Sequence, residues 1–124
     1  MKLRIKGDSL RLRLTQGEVS QLGETGAVED QVRFGAGAAL VYRLRRDAAA
    51  SDVRASFVNG AVEVRVPEKT ALAWCTSDEV TLSGSQSAAA DAELRIVVEK
   101  DFKCLTAREG EDESDHFKNP NETC

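Results

Sequence analysis

The stretch KLRIKGDSLRLRLTQGEV, residues 2–19, carries three local signals in succession. Leu3 and Ile5 alternate with Lys2, Arg4 and Lys6, and Leu10, Leu12 and Leu14 alternate with Arg11 and Arg13. Successive side chains of a strand point to opposite faces, so both runs read as strands with one buried and one wet face. Gly7-Asp8 between them supplies a tight turn. Thr15 follows, with Glu18 three residues on. In that spacing each side chain accepts a hydrogen bond from the other residue's free backbone N–H, which starts a helix. Val19 and Leu22 share the inner face of this helix, and Gly23 and Gly26 end it.

The same order returns 52 residues later, a self-similarity that marks an internal repeat. RASFVNGAVEVRVPEKTALAW, residues 54–74, alternates through Val62, Val64 and Val66 against Glu63 and Arg65. Asn59-Gly60 marks the hairpin, because both central residues of a type I′ turn need positive φ. Pro67 opens a second helix at a position where its missing N–H costs little. Ala71, Trp74 and Cys75 form the inner face of that helix. Ile5 meets Phe57, Val19 and Leu22 meet Ala71 and Trp74, and Val28 meets Val80. Tyr42, Arg43 and Leu44, in the run LVYRLRR, meet Leu94, Arg95 and Ile96 in ELRIVV. GAGA at Gly35–Ala38 and GSQSAAAD at Gly84–Asp91 are the equivalent hairpin connections.

The pattern predicts an α+β fold, mainly β. Internally duplicated ββαββ units, at about 2–47 and 53–99, form one curved sheet or a partly closed barrel with two helices. Residues 1–102 constitute a single duplicated domain, and residues 103–124 an acidic C-terminal tail. A length of 124 residues suits one domain. The charged start has no apolar run of a secretory signal, and no stretch approaches the roughly 18 apolar residues of a membrane span. Three cysteines cannot all pair within one chain. The expected location is the cytoplasm, with no membrane association. The net charge of −4 conceals an asymmetry. Residues 1–66 hold 11 Lys/Arg against 8 Asp/Glu, and residues 67–124 hold 6 against 13. Such a division suits an acidic part that packs near a basic one.

The opening MKLRIKGDSLRLRLT and the closing EKDFKCL, EDESD and NP resemble a family of short, uncharacterised bacterial proteins. Lys118 stands between Phe117 and Asn119, where the family's pattern has a proline. The resemblance spans nearly the whole chain. It implies no activity, cofactor or site residue.

Candidate chemistry lies in two places. Cys104, His116 and Cys124 are suitable zinc ligands, with Cys75 as a fourth, and Asp112 and Asp115 are further metal candidates as oxygen donors. The cysteine and histidine gaps hold 11 and 7 residues, however, with no close pair to fix two ligands on one turn. The run Glu109, Glu111, Asp112, Glu113 and Asp115 lacks the calcium-loop pattern. Cys104 with His116 is the nucleophile–base pairing the tail offers. No phosphate-binding loop, dinucleotide fingerprint, nucleophile elbow or H-E-x-x-H occurs. The E-x-E-x-K start of the triphosphate tunnel enzymes is absent too. No cofactor is expected, and the reading leans away from an enzyme.

The second place is the wet side of the strands. Lys2, Arg4, Lys6, Arg11, Arg13, Arg43, Arg45, Arg54, Arg65 and Arg95 all fall there. One sheet would gather them into a basic surface, with Arg11, Arg13, Arg43, Arg45, Arg65 and Arg95 as candidate binding residues. Cross-strand ion pairing is the competing use of these residues. The chain thus reads as a small cytosolic, non-catalytic binding or interaction module with a protein or polyanion partner. The alternative is a small enzyme or metal-binding protein using Cys104, His116 and the tail carboxylates.

Overall fold

The computed structural model describes residues 1–102. The first half holds β1 (Lys2–Ile5), β2 (Ser9–Leu14), α1 (Gln16–Thr25), β3 (Ala27–Gly35) and β4 (Ala38–Asp47). The second holds β5 (Arg54–Val58), β6 (Ala61–Pro67), α2 (Glu68–Thr76), β7 (Thr81–Ala89) and β8 (Ala92–Lys100). The order β-β-α-β-β therefore occurs twice. The local signals act where the sequence places them. Thr15 caps α1, with Thr15 and Glu18 exchanging both capping-box bonds, and Gly26 closes it in a left-handed conformation. Asn59 and Gly60 both have positive φ, at 51° and 76°, as the type I′ turn requires.

The class is α+β, mainly β, as expected, but the strands do not form one curved sheet or a closed barrel. They form two four-stranded sheets, ordered β1-β2-β8-β7 and β3-β4-β6-β5. Each sheet takes one hairpin from each half. The two hairpins meet in parallel at the centre, β2 beside β8 with Leu12 opposite Val98, and β4 beside β6 with Leu44 opposite Val64. The remaining pairs are antiparallel. Alternation specifies the buried face of a strand and leaves its neighbour open, so the partition into two sheets is a tertiary decision.

The registers also re-space the second half. Val28 lies opposite Leu44, and Leu82 opposite Val98. The positional counterpart of Val28 is thus Leu82, 54 residues on, rather than Val80. Four residues, 77–80, separate α2 from β7, whereas Gly26 alone separates α1 from β3. A shift of two keeps every side chain on its own face, so the alternation cannot register it.

The stretch expected as a long hairpin connection, Gly84–Asp91, is mostly strand, since β7 runs to Ala89. Tertiary contacts explain why so polar a segment is extended. Gly84 passes so close to Val53 that an added Cβ would lie 2.7 Å from the Val53 carbonyl oxygen. Gln86 reaches the neighbouring edge strand β5, where its Oε1 accepts from Ala55 N–H and its Nε2 donates to Ala55 C=O, both at 2.8 Å. One side chain thus ties the two sheet edges together.

The core lies between the inner faces of the sheets and the helices. It comprises Leu12, Leu14, Ile96 and Val98 from the first sheet, and Leu44, Val64 and Val66 from the second. Val19, Leu22, Ala71 and Trp74 join it from the helices. Trp74 is fully buried, and its ring N–H donates to Val80 C=O at 3.0 Å. Two inward-facing cations serve the helix ends. Arg46 Nε donates to Leu22 C=O at 3.2 Å at the end of α1, and its guanidinium pairs with Glu68 at the start of α2. Lys100 Nζ donates to Ser77 C=O at 2.7 Å, just past α2, and lies 5.3 Å from the Trp74 ring centroid. Both place positive charge at the negative end of a helix dipole.

Candidate functional site

The arginines expected on one basic surface divide between two. Arg43, Arg45 and Arg65 lie on the outer face of the second sheet, and Arg11, Arg13 and Arg95 on that of the first. The division follows from the strand order, because β4 and β6 belong to one sheet and β2 and β8 to the other.

On the second sheet Arg43, Arg45, Arg54 and Arg65 each have a carboxylate within ion-pair range, whereas exposed Arg33 on β3 has none among the described residues. Glu63 stands opposite Arg43 in the β4–β6 register and next to Arg45 and Arg65. It accepts from Arg43 at 2.8 Å and from Arg45 at 3.3 Å. Arg65 Nε lies 3.8 Å from the same carboxylate, within ion-pair range but too long for a hydrogen bond. Arg43 also contacts Glu29 at 2.6 Å across the β3–β4 pair. The Arg43 guanidinium, with Arg45 beside it, holds Glu63 below the usual carboxylate range. Glu63 and Glu29 in turn push Arg43 up. Around Glu63 this face is a salt-bridge lattice in which the charge is used internally.

The first sheet differs. Its outer positions fall into rows set by the register. Lys2, Arg13 and Glu99 form one row, Arg4, Arg11 and Val97 the next, and Ser9 and Arg95 the third. Lys6 stands at the turn beside Ser9. Glu99 pairs with Arg13 and, at 3.6 Å, with Arg11, while Asp101 pairs with Lys2 at 3.1 Å. Arg4, Lys6 and Arg95 are exposed, and among the described residues no carboxylate comes within ion-pair range of any of them. The paired acids thus lie at one end of the face; at the other, Glu93 shares the face with Arg95 outside ion-pair range, and Arg4, Lys6 and Arg95 have no ion pair among the described residues.

β7 adds a strand where the sequence suggests a loop. Its outer positions are Thr81, Ser83, Ser85 and Ser87, all exposed, with Ser85 directly opposite Arg95. A line of hydroxyl donors therefore flanks the cations. The alternation of Ser and Thr with Leu82, Gly84 and Gln86 is the signal the sequence offers, but Gly and Gln at the inner positions break the apolar pattern that marks a strand. Among the described residues no aromatic side chain stands on this outer face. The arrangement can bind anionic groups through point charges and forks of N–H donors, and it has no ring to stack against a base.

An open groove of about 610 Å³ lies between α1 and the end of β8, lined by Leu14, Val19, Cys75, Lys100, Asp101 and Phe102. Its Lys100 is engaged with Ser77. Cys75 donates from Sγ to Val19 C=O at 3.4 Å, and burial pushes its thiol up, away from a reactive thiolate. Among the described residues no group of three or more His, Cys, Asp or Glu side chains is placed to hold a metal ion. Cys104, His116, Asp112 and Asp115 lie outside the described residues. No described helix is long and apolar enough to cross a membrane.

No match was found among curated proteins or among solved structures. A family model, by contrast, matches residues 1–121, and on that extent of match the chain belongs to a family of unknown function, DUF7009.

Proposed function

We propose that the protein is a small, non-catalytic binding module whose contact surface is the outer face of the first sheet. Its partner on this reading is a polyanion bearing phosphate or sulfate groups. The observation that carries the reading is the group of three unpaired cations on the first sheet, where the second has Arg33 alone among the described residues. Arg43 and Arg45 are each paired with carboxylates, whereas Arg4, Lys6 and Arg95 have no carboxylate partner among the described residues. Cross-strand pairing accounts for Arg43 and Arg45 on the second sheet and for Arg11 and Arg13 on the first, and leaves Arg4, Lys6 and Arg95 unexplained. Ser83 and Ser85 supply neutral donors of the kind that accompany Arg and Lys at phosphate oxygens. The missing aromatics point to recognition of a charged backbone rather than of bases.

On this proposal residues 1–102 are one internally duplicated domain whose halves have diverged in charge. The repeated element order supports that reading, as does the contact of Gly23 with Cys75, positions 52 residues apart where the two helices cross.

The test is binding of heparin and of single-stranded DNA to the full chain across a salt series. Affinity is expected to fall steeply between about 50 and 200 mM salt as counterions are displaced. The triple change Arg4→Gln, Lys6→Gln, Arg95→Gln should weaken binding and reduce the salt slope by about 1 for each anionic group no longer neutralised. Arg54→Gln on the other sheet should leave both unchanged. No binding at low salt, or binding indifferent to the triple change, would falsify the proposal. Preference for heparin over DNA would identify a sulfated rather than a nucleic-acid partner.

A further inference from the structure

We propose that the acidic run from Glu109 to Asp115 of this same chain is an intramolecular occupant of the basic outer face of the first sheet. As a regulatory consequence it competes there with the external polyanion, a consequence that rests on the reading of that face given above. Three observations carry the inference.

The first is the place where the described chain ends. Asp101 bonds the β2 end through its N–H to Leu14 C=O at 2.8 Å, and its carboxylate pairs with Lys2 at 3.1 Å. The chain therefore leaves from the corner of this face, beside its first row of charges. The second is reach. Glu109 lies seven residue steps beyond Phe102, and an extended chain of that length spans at most roughly 23–25 Å. From Lys2 to Lys6 the face extends about 13 Å along the strand direction, and about 10 Å across from β1 to β8. Every cation of the face is within range. The third is charge. Glu109, Glu111, Asp112, Glu113 and Asp115 place five carboxylates in seven residues, and Arg4, Lys6 and Arg95 are cations with no described carboxylate within ion-pair range.

A tethered acidic segment acts at an effective concentration on the order of millimolar, so an external anion has to displace it. This also accounts for a basic surface on a chain with a net charge of −4.

Two measurements on the full chain decide the matter. Zero-length carbodiimide coupling at low salt should link Lys2 or Lys6 to carboxylates between 109 and 115 within the monomer, and 1 M salt should abolish the links. Absence of such links at low salt overturns the inference, and links confined to a covalent dimer assign the acidic run to a second copy and overturn it as well. The second measurement is heparin affinity of Glu111→Gln, Asp112→Asn, Glu113→Gln. A control, Glu24→Gln, Asp78→Asn, Glu79→Gln, removes the same charge from outside the face. The tail variant should bind about tenfold more tightly than wild type at low salt and converge with it at high salt, as relief of a tethered competitor requires. Equal gains in both variants overturn the competition. Intramolecular links in a chain that binds no heparin would sink the polyanion reading and leave the tail contact standing.

Discussion

Glu63 shows what a single position contributes. Its side chain is one-fifth exposed and serves three arginines from two strands. Because Arg43 and Arg45 depress its folded-state pKa, its contribution is complete above the unfolded value of roughly 4.3 and is lost as pH falls through the folded value. Glu63→Gln is expected to cost about 1–2 kcal/mol at neutral pH, the scale of a hydrogen bond to a charged group. The gap between wild type and variant should close as pH falls below the unfolded value and through the lower folded one, where the wild-type carboxylate protonates as well. Thermal melts of both proteins from pH 7 to pH 3 measure this, and a gap that does not narrow would refute the assigned role. The sequence placed Glu63 and the arginines on a wet face. That Glu63 meets Arg43 of the other half depends on the β4–β6 register, which no local spacing encodes.

Among the elements, α1 and β7 stand at opposite ends of legibility. α1 begins with a capping box and ends at a left-handed glycine, so both termini are written within a few residues. β7 has only Leu82 as a buried apolar residue, and its strand state rests on contacts made by Gly84 and Gln86 with another part of the chain. Gln86→Ala should therefore cost about 1–3 kcal/mol, because Ala55 N–H and C=O at a half-covered edge lose both partners. Hydrogen exchange at the Ala55 amide should accelerate in the variant more than exchange at Val64 in the sheet centre. Uniform acceleration would mean that Gln86 supports global stability without specifically holding the β5–β7 junction.

At the scale of the whole molecule the halves interlock. Each sheet needs one hairpin from each half, and the central parallel contacts are inter-half contacts. Neither half can complete a sheet alone. A fragment of residues 1–52 is accordingly expected to remain unfolded by circular dichroism, and the intact body to unfold in one transition. Trp74 fluorescence and far-ultraviolet circular dichroism should give coincident denaturation curves, and two separated transitions would contradict the interlocked arrangement. The division of charge belongs to this scale too. β4 and β6 bring Arg43, Arg45 and Arg65 around Glu63, whereas β1, β2 and β8 bring Arg4, Arg11 and Arg95 together with their ion-paired acid, Glu99, at one end.

Which side chains face inward, where three of the four hairpins turn, and how the helices begin all follow from the amino-acid sequence alone. Those properties depend on steric and hydrogen-bonding rules that operate over two to four residues. Only the tertiary structure decided which hairpins share a sheet, that a serine-rich segment is a strand, and which basic face keeps its charge. A period-2 pattern is identical for every choice of neighbour and for every slip of two residues, so strand pairing had to be settled by contacts between distant parts of the chain.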